Sequence, residues 1–560
     1  MPPKIPKKKK EEYVPQTFDE WIESAIDFEE KGDRYKDGDK ARRFYEQAVQ
    51  CYSSASAFAS DAFCLFNKGR LLLLLAEFKN PAYTLSQQRT LLEDAAKSLR
   101  DAVELDQLHP DSMFTLAQTI KAVFERILDN GDVVTQTHLA RLSEADILLE
   151  RALVLQLAEL EKSKAIASAS TADACEQGCG HDHDDHSGHG HAHEEADDAM
   201  EEAEPETEGG DEGYELVNQQ EPVTNRTIID TLVEHSSLLT LAASALYSIS
   251  AEQAEQLYMK SHAKLSATAT LWPEPNNTTN EPSDIGLARA ALFVARGESL
   301  FEASPKTEAT SAPWKALFEQ AGALYDDILA RNPTCAEAPA DKGDLLCTLA
   351  ESIMTITIGC PGVPGFEALI NNVILEQQQL QQQQQSGGSS SSALQQQQQQ
   401  HLPSQTFLTQ LRQIYSQASK AYSQAQAIEP SKASVSHRLG DLEATRTSLC
   451  PPSLNPSNVN TQQILLKNSA THYKRALDAL GVTINVLSTP KSCADEEAAR
   501  GSLFGIAKVL SHFEGREGDV KNALVCWKRR GGVFGEDGEG CAIAFSERVL
   551  ALEWFEKVIR

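Results

Sequence analysis

The densest set of chemically active side chains lies in one stretch: Cys175, Cys179, His181, His183, His186, His189, His191 and His193, within CEQGCGHDHDDHSGHGHAHEE. Imidazole nitrogen and thiolate sulfur are ligands for zinc, copper or nickel. Histidines alternating with aspartates put many donors within reach of one flexible loop. The spacing defines no single site, because a folded zinc ribbon joins close ligand pairs from two places and here only Cys175 and Cys179 pair. It favours a solvated loop that takes metal when metal is abundant, with zinc buffering as the alternative and no resident cofactor expected. Immediately after come Glu194, Glu195, Asp197, Asp198, Glu201 and Glu202, and no lysine or arginine stands between Lys164 and Arg226. Such a stretch holds almost no large apolar residues for a core, so 166–222 is expected to be a disordered His-rich and acidic insertion.

The usual signs of catalysis are missing. There is no phosphate-binding loop of the Walker type, and GGVFGEDGEG at 531–540 follows no strand pattern, so it reads as a glycine-rich loop and not a dinucleotide site. No nucleophile elbow and no helical HExxH occurs. The expectation is a protein that is not an enzyme. A formal charge of −30 argues against nucleic acid as a direct partner and for solubility or a cationic partner. No apolar run approaches the length of a membrane span, Leu71 to Leu75 being far too short. Eleven cysteines, several single within helical patterns (Cys51, Cys64, Cys347, Cys526), and no apparent signal peptide point to reduced, buried thiols and a location in cytoplasm, nucleus or both. The start, MPPKIPKKKK, reads as a disordered basic tail over 1–16. It is either an import signal, a nucleic-acid- or ribosome-facing patch, or a solubilising terminus.

The elements that would position any site are helices. In the run from Gln410 to Asp441, Ala418, Tyr422 and Ala425 share a helix face, Pro430 ends the helix, and Leu439 and Gly440 begin a second one. The spacing recurs in Ala321, Tyr325, Pro333 and Gly343, and partially in Ala41, Tyr45 and Ala48, in Ala95, Leu99 and Ala102, in Ala145, Leu149 and Ala152, and in Ser469, Tyr473 and Ala476. This resembles the tetratricopeptide repeat (TPR), a two-helix unit of about 34 residues. The fold expected is therefore all-α: an irregular TPR-like helical-repeat solenoid with disordered acidic/His-rich and Gln-rich insertions, a form that lets 560 residues grow as a strip instead of one oversized core. Its parts are an N-terminal lobe over 17–165, middle repeats over 223–359, a Gln/Ser/Gly insertion over 360–405 that splits one repeat, and C-terminal repeats over 406–560 closed by a capping helix from Ile543 to Ile559.

The TPR resemblance also implies a use, namely binding a protein partner in the groove lined by the first helix of each pair. In co-chaperones of this type a clamp of Lys and Asn side chains holds a terminal carboxylate, and the clamp Asn follows the helix glycine. The matching positions here are Glu298, Asp344 and Asp441, with Arg70 following Gly69, so three of the four would repel a carboxylate tail. An acidic insertion between repeats plus a basic tail is similar to the architecture of TPR-type histone chaperones. It implies an escort for a basic protein such as a histone or ribosomal protein; the alternative is a generic adaptor or co-chaperone.

Overall fold

The computed structural model describes residues 15–36, 38–78, 83–129, 131–176, 222–272, 282–359, 362–386, 403–484 and 496–530. Among them are seventeen α-helices: α1 Phe18–Tyr35, α2 Gly38–Phe58, α3 Ala62–Ala76, α4 Leu85–Leu105, α5 Pro110–Asp129, α6 Gln136–Glu176, α7 Asn225–Tyr247, α8 Ala251–Leu271, α9 Ser283–Ala303, α10 Ala312–Arg331, α11 Glu337–Ile358, α12 Gly362–Ser386, α13 Pro403–Ile428, α14 Ala433–Ser448, α15 Asn458–Ala479, α16 Glu496–Leu510 and α17 Glu517–Arg529. The starts are encoded locally. Thr17 and Thr84 each form a capping box, with Glu20 and Gln87 respectively, and the Asp61 carboxylate accepts from the Cys64 amide. Gly359 ends α11 in the left-handed conformation, φ 86°, which a side chain would resist.

The helices associate as pairs: α1 with α2, α3 with α4, α5 with α6, α7 with α8, α9 with α10, α11 with α13, α14 with α15, and α16 with α17. Each second helix packs in turn on the first helix of the next pair. This is a TPR-like solenoid. First helices of several neighbouring pairs also approach one another (α3 and α5, α5 and α7, α7 and α9, α9 and α11, α14 and α16), whereas the second helices make no comparable contact among the described residues. The stack therefore curves with the first helices inside, and they line the inner face. The seam of a pair is made by small residues against one aromatic. Ala418 and Ala425 are fully buried, the Tyr422 ring covers Gly343, and a Cβ on that glycine would stand 2.6 Å from the ring. Gly440 under Tyr473 repeats the arrangement. Gly343 and Tyr422 thus belong to one unit despite the chain between them.

Two expected boundaries are corrected. The segment 166–222 does not begin as a loop, because α6 continues to Glu176 and carries Cys175 within it. Alanine-rich AIASASTADACE has no glycine or proline to stop a helix, and the first glycine is Gly178. Within 360–405, α12 forms, and its Phe366, Leu369, Ile370 and Val373 are buried against α11 and α13. The i, i+3, i+4, i+7 spacing of these four residues is an amphipathic stripe that outweighs the low-complexity flank, and the glutamines, good helix formers, carry the helix on to Ser386. The basic tail to residue 14, Cys179, His181, His183, His186, His189, His191, His193, the acidic run Glu194 to Glu202 and the capping helix at 543–559 all lie outside the described residues. No helix among the described residues is long and apolar enough to cross a membrane.

Candidate protein-binding face

The inner face divides into two chemical zones. In the N-terminal zone, Arg70 donates to Glu29 of α1 and, at 3.4 Å, to Asn67. A guanidinium already held by a carboxylate on the neighbouring first helix is poorly placed to seize a partner's terminal carboxylate. Beside it lies a cavity of about 540 Å³ whose wall is mainly apolar, with Leu73, Leu74, Phe78 and Phe114.

The second zone is acidic and built on α9, α11 and α14. The Asp344 carboxylate, following Gly343, accepts from the Tyr422 hydroxyl at 2.5 Å and from Arg438 of α14. Asp441, following Gly440, accepts from the Tyr473 hydroxyl at 2.5 Å and faces the His437 ring at 3.3 Å. Both expected positions therefore reach the inner face, each tied back to its own repeat by a tyrosine. Glu298 does not share their register. In the antiparallel pair α9–α10, Gly286 lies against Ile328 and Gly297 against Phe318, so the residue opposite Tyr325 is close to Ala290, two turns before Gly297. Glu298 is nonetheless exposed on this zone and makes no hydrogen bond or ion pair among the described residues. Its carboxyl is held above the usual range by its crowded surroundings and by Glu302.

Sequence reasoning missed Asp341, one turn before Asp344 on the same face of α11. It has no hydrogen bond or ion pair among the described residues, and burial together with Asp344 pushes its carboxyl up to about 6, against the weaker pull of Arg438 and Lys432. Asp344 is likewise raised, burial outweighing its bonds to Tyr422 and Arg438, and burial raises Glu351 further along α11. The spacing of Asp341 and Asp344 in ADKGD is the signal that could have found this stripe. Cys347 is only partly buried, though burial pushes its thiol up to about 12.

A second unforeseen cluster joins α6, α7 and α8. Asp146 accepts from Lys260 at 2.7 Å and meets the Nε2 of fully buried His235 at 2.6 Å, while Glu150 accepts from Lys264 at 2.8 Å. Burial alone would raise Asp146, but His235 and Lys260 outweigh it and hold the carboxyl down to about 2. With both carboxylates already met by lysines, this is a tie between repeats and a poor metal site. The matched i, i+4 spacings of Asp146/Glu150 and Lys260/Lys264 were legible in the sequence, but not that these helices would stack.

No protein-family model matches the sequence. A stretch of 104 residues is 37% identical to the UPF0656 protein C926.02 of Schizosaccharomyces pombe, and it spans 18% of this chain and 23% of that protein. Among solved structures, the chain is similar to a monomeric mutant of IFIT1 (12% identity, 91% of this chain and 80% of that one, TM-score 0.28), to yeast Tom70 (11%, 90% and 85%, TM-score 0.17) and to Naa15/Naa10 bound to HypK-THB (13%, 91% and 68%, TM-score 0.19). On its own geometry, the chain is a helical-repeat solenoid of paired helices.

Proposed function

We propose that this chain is a non-enzymatic escort that holds a lysine- or arginine-rich segment of a partner protein, such as a histone or ribosomal protein, along the acidic zone of its inner face. The observation that carries the reading is the gathering of Glu298, Asp341, Asp344 and Asp441 from three successive first helices, with Asp341 and Glu298 lacking any bonded cation among the described residues. Close carboxylates repel one another, and a cationic segment relieves that repulsion on binding. The acidic run from Glu194 to Glu202 adds charge that speeds encounter with the same partner.

The test is affinity of the full chain for a lysine- and arginine-rich synthetic peptide at low and physiological salt, repeated after neutralising Glu194 to Glu202 and, separately, the four inner-face acids. Binding should weaken steeply with salt, since exposed charges are screened beyond about 8 Å at physiological ionic strength. The inner-face changes should speed dissociation and the changes at 194–202 should slow association. Binding indifferent to salt and to both sets of changes would leave only a generic adaptor.

A further inference from the structure

Exposed apolar side chains scattered singly over a surface need no explanation, but a group of them does. Such a group lies along one edge of the N-terminal pairs, where α2 turns into α3 and α4 into α5. Phe58 ends α2 and is 60% exposed, Phe63 stands in the first turn of α3, Leu105 ends α4, and Leu108 in the turn that follows is 75% exposed. Phe66, one turn on from Phe63, packs its ring 5.2 Å from that of His109, which brings the two turns together. The same edge meets α6, whose Arg151 donates to the Gln107 carbonyl oxygen at 3.4 Å. Val154, three residues on from Arg151 and 65% exposed, therefore stands next to Leu108, with exposed Leu157 one turn further along. Because α6 has 41 residues against 20 in α5, it runs on past this edge by about 30 Å and gives the group a raised wall.

The charge around this apolar strip is mainly of one sign. Both α2 and α4 end here with no basic residue in the last turn, so the negative ends of their dipoles get no cation from their own helix. Glu104 in the last turn of α4 and Asp111 in the first turn of α5 have no bonded cation among the described residues. Asp61 and Asp106 accept backbone amides, from Cys64 and Leu108, and likewise have no bonded cation there. Arg151, which does reach the edge, is turned to a carbonyl oxygen. We infer that this edge docks an amphipathic helix of a partner protein, with large apolar side chains on one face and lysines or arginines along its flanks. The apolar face covers Leu105, Leu108 and Val154, and the flanking cations meet Glu104, Asp111 and the C-terminal end of α4. A helix suits the place, since a long apolar strip beside a raised wall takes anchors at i, i+3, i+4 and i+7. The surface is built on other helices than the acidic inner face and does not rest on the escort reading.

The probe is a synthetic leucine–lysine peptide with its leucines at helical spacing, titrated calorimetrically into the full chain. A control peptide of the same composition alternates the two residues and so has no apolar helix face. The helical peptide should bind and the control should bind at least tenfold more weakly. Leu108→Ser with Val154→Ser removes apolar surface that is already exposed, so the melting midpoint should hold while affinity falls about tenfold or more. Glu104→Gln with Asp111→Asn should weaken binding severalfold and reduce its dependence on salt. Ile249→Ser, at a similarly exposed apolar residue elsewhere, should change nothing. No binding of the helical peptide, equal binding of the control, or affinity unmoved by the two serine changes would each overturn the proposal. Binding lost on neutralising the four inner-face acids, with the serine changes silent, would put the peptide on the inner face, so that this surface falls and the escort reading stands. Sedimentation of the free chain tests the other occupant: a dimer that the serine changes dissociate would mean that a second copy covers the edge, and a partner helix would be wrong.

Discussion

The Tyr422 hydroxyl donates to the Asp344 carboxylate at 2.5 Å across 78 positions of chain, while the same ring covers Gly343. One side chain therefore closes a helix pair and fixes an inner-face acid. Removing the ring and removing only its oxygen should differ sharply. Tyr422→Ala should cost about 3–5 kcal/mol, the range for a buried aromatic, whereas Tyr422→Phe should cost about 1 kcal/mol. Gly343→Ala should also destabilise, by about 1–3 kcal/mol, because the new methyl group meets the ring. Urea denaturation of the three variants checks the order; equal midpoints for Ala and Phe would contradict it.

Because α12 packs on α11 and α13, two deletions that look alike in sequence should behave differently. Replacing 387–402 by a short glycine-serine linker should leave the melting midpoint unchanged. Deleting 360–405 removes buried Phe366, Leu369, Ile370 and Val373 and should cost on the order of 5 kcal/mol or more, at about 1.5–3 kcal/mol for each side chain. Matching melts for the two deletions would show that α12 is dispensable.

Asp146 should make the protein sensitive to acid. Its folded-state carboxyl lies near 2, below the ordinary value, so its contribution is present above about pH 4 and is lost as the pH falls towards 2. Asp146→Asn should lower stability at neutral pH by about 1–2 kcal/mol and remove that part of the acid slope. The change would also leave Lys260 with Glu150 as its bonded carboxylate. Denaturant melts at pH 3 and pH 7 distinguish this from a general packing defect, which would shift both equally.

Asp341 has the opposite sign. Its folded carboxyl, near 6, binds a proton more tightly than the unfolded chain does, so its favourable contribution is complete below about pH 4 and is lost as pH rises through 6. Asp341→Asn should therefore stabilise the protein at pH 7.5, by about 1 kcal/mol after allowance for solvent screening, and leave it little changed at pH 4. A variant less stable than wild type at pH 7.5 would show that Asp341 is structurally paired.

The repeat marks were legible in the sequence because a helix pair is closed by side chains at helical spacing within a short stretch. Ala418, Tyr422 and Gly440 announce their roles through periodicity, and so do the capping threonines. The same local logic picked out Asp344 and Asp441, and each accepts from the tyrosine that covers the glycine before it. It failed for Glu298, where two glycines in α9 offered two registers and only packing against Phe318 and Ile328 chose between them. It also failed for α12, whose short apolar stripe has meaning only once α11 and α13 leave it a surface to cover. Which acids are paired and which are left without a bonded cation is a matter of stacking alone. Arg438 reaches Asp344 across 94 positions and Lys260 reaches Asp146 across 114, distances over which no sequence period carries information. The sequence by itself determined the helices, their seams and the acidity; tertiary structure decided where charge is compensated, because that depends on which helices become neighbours in the stack.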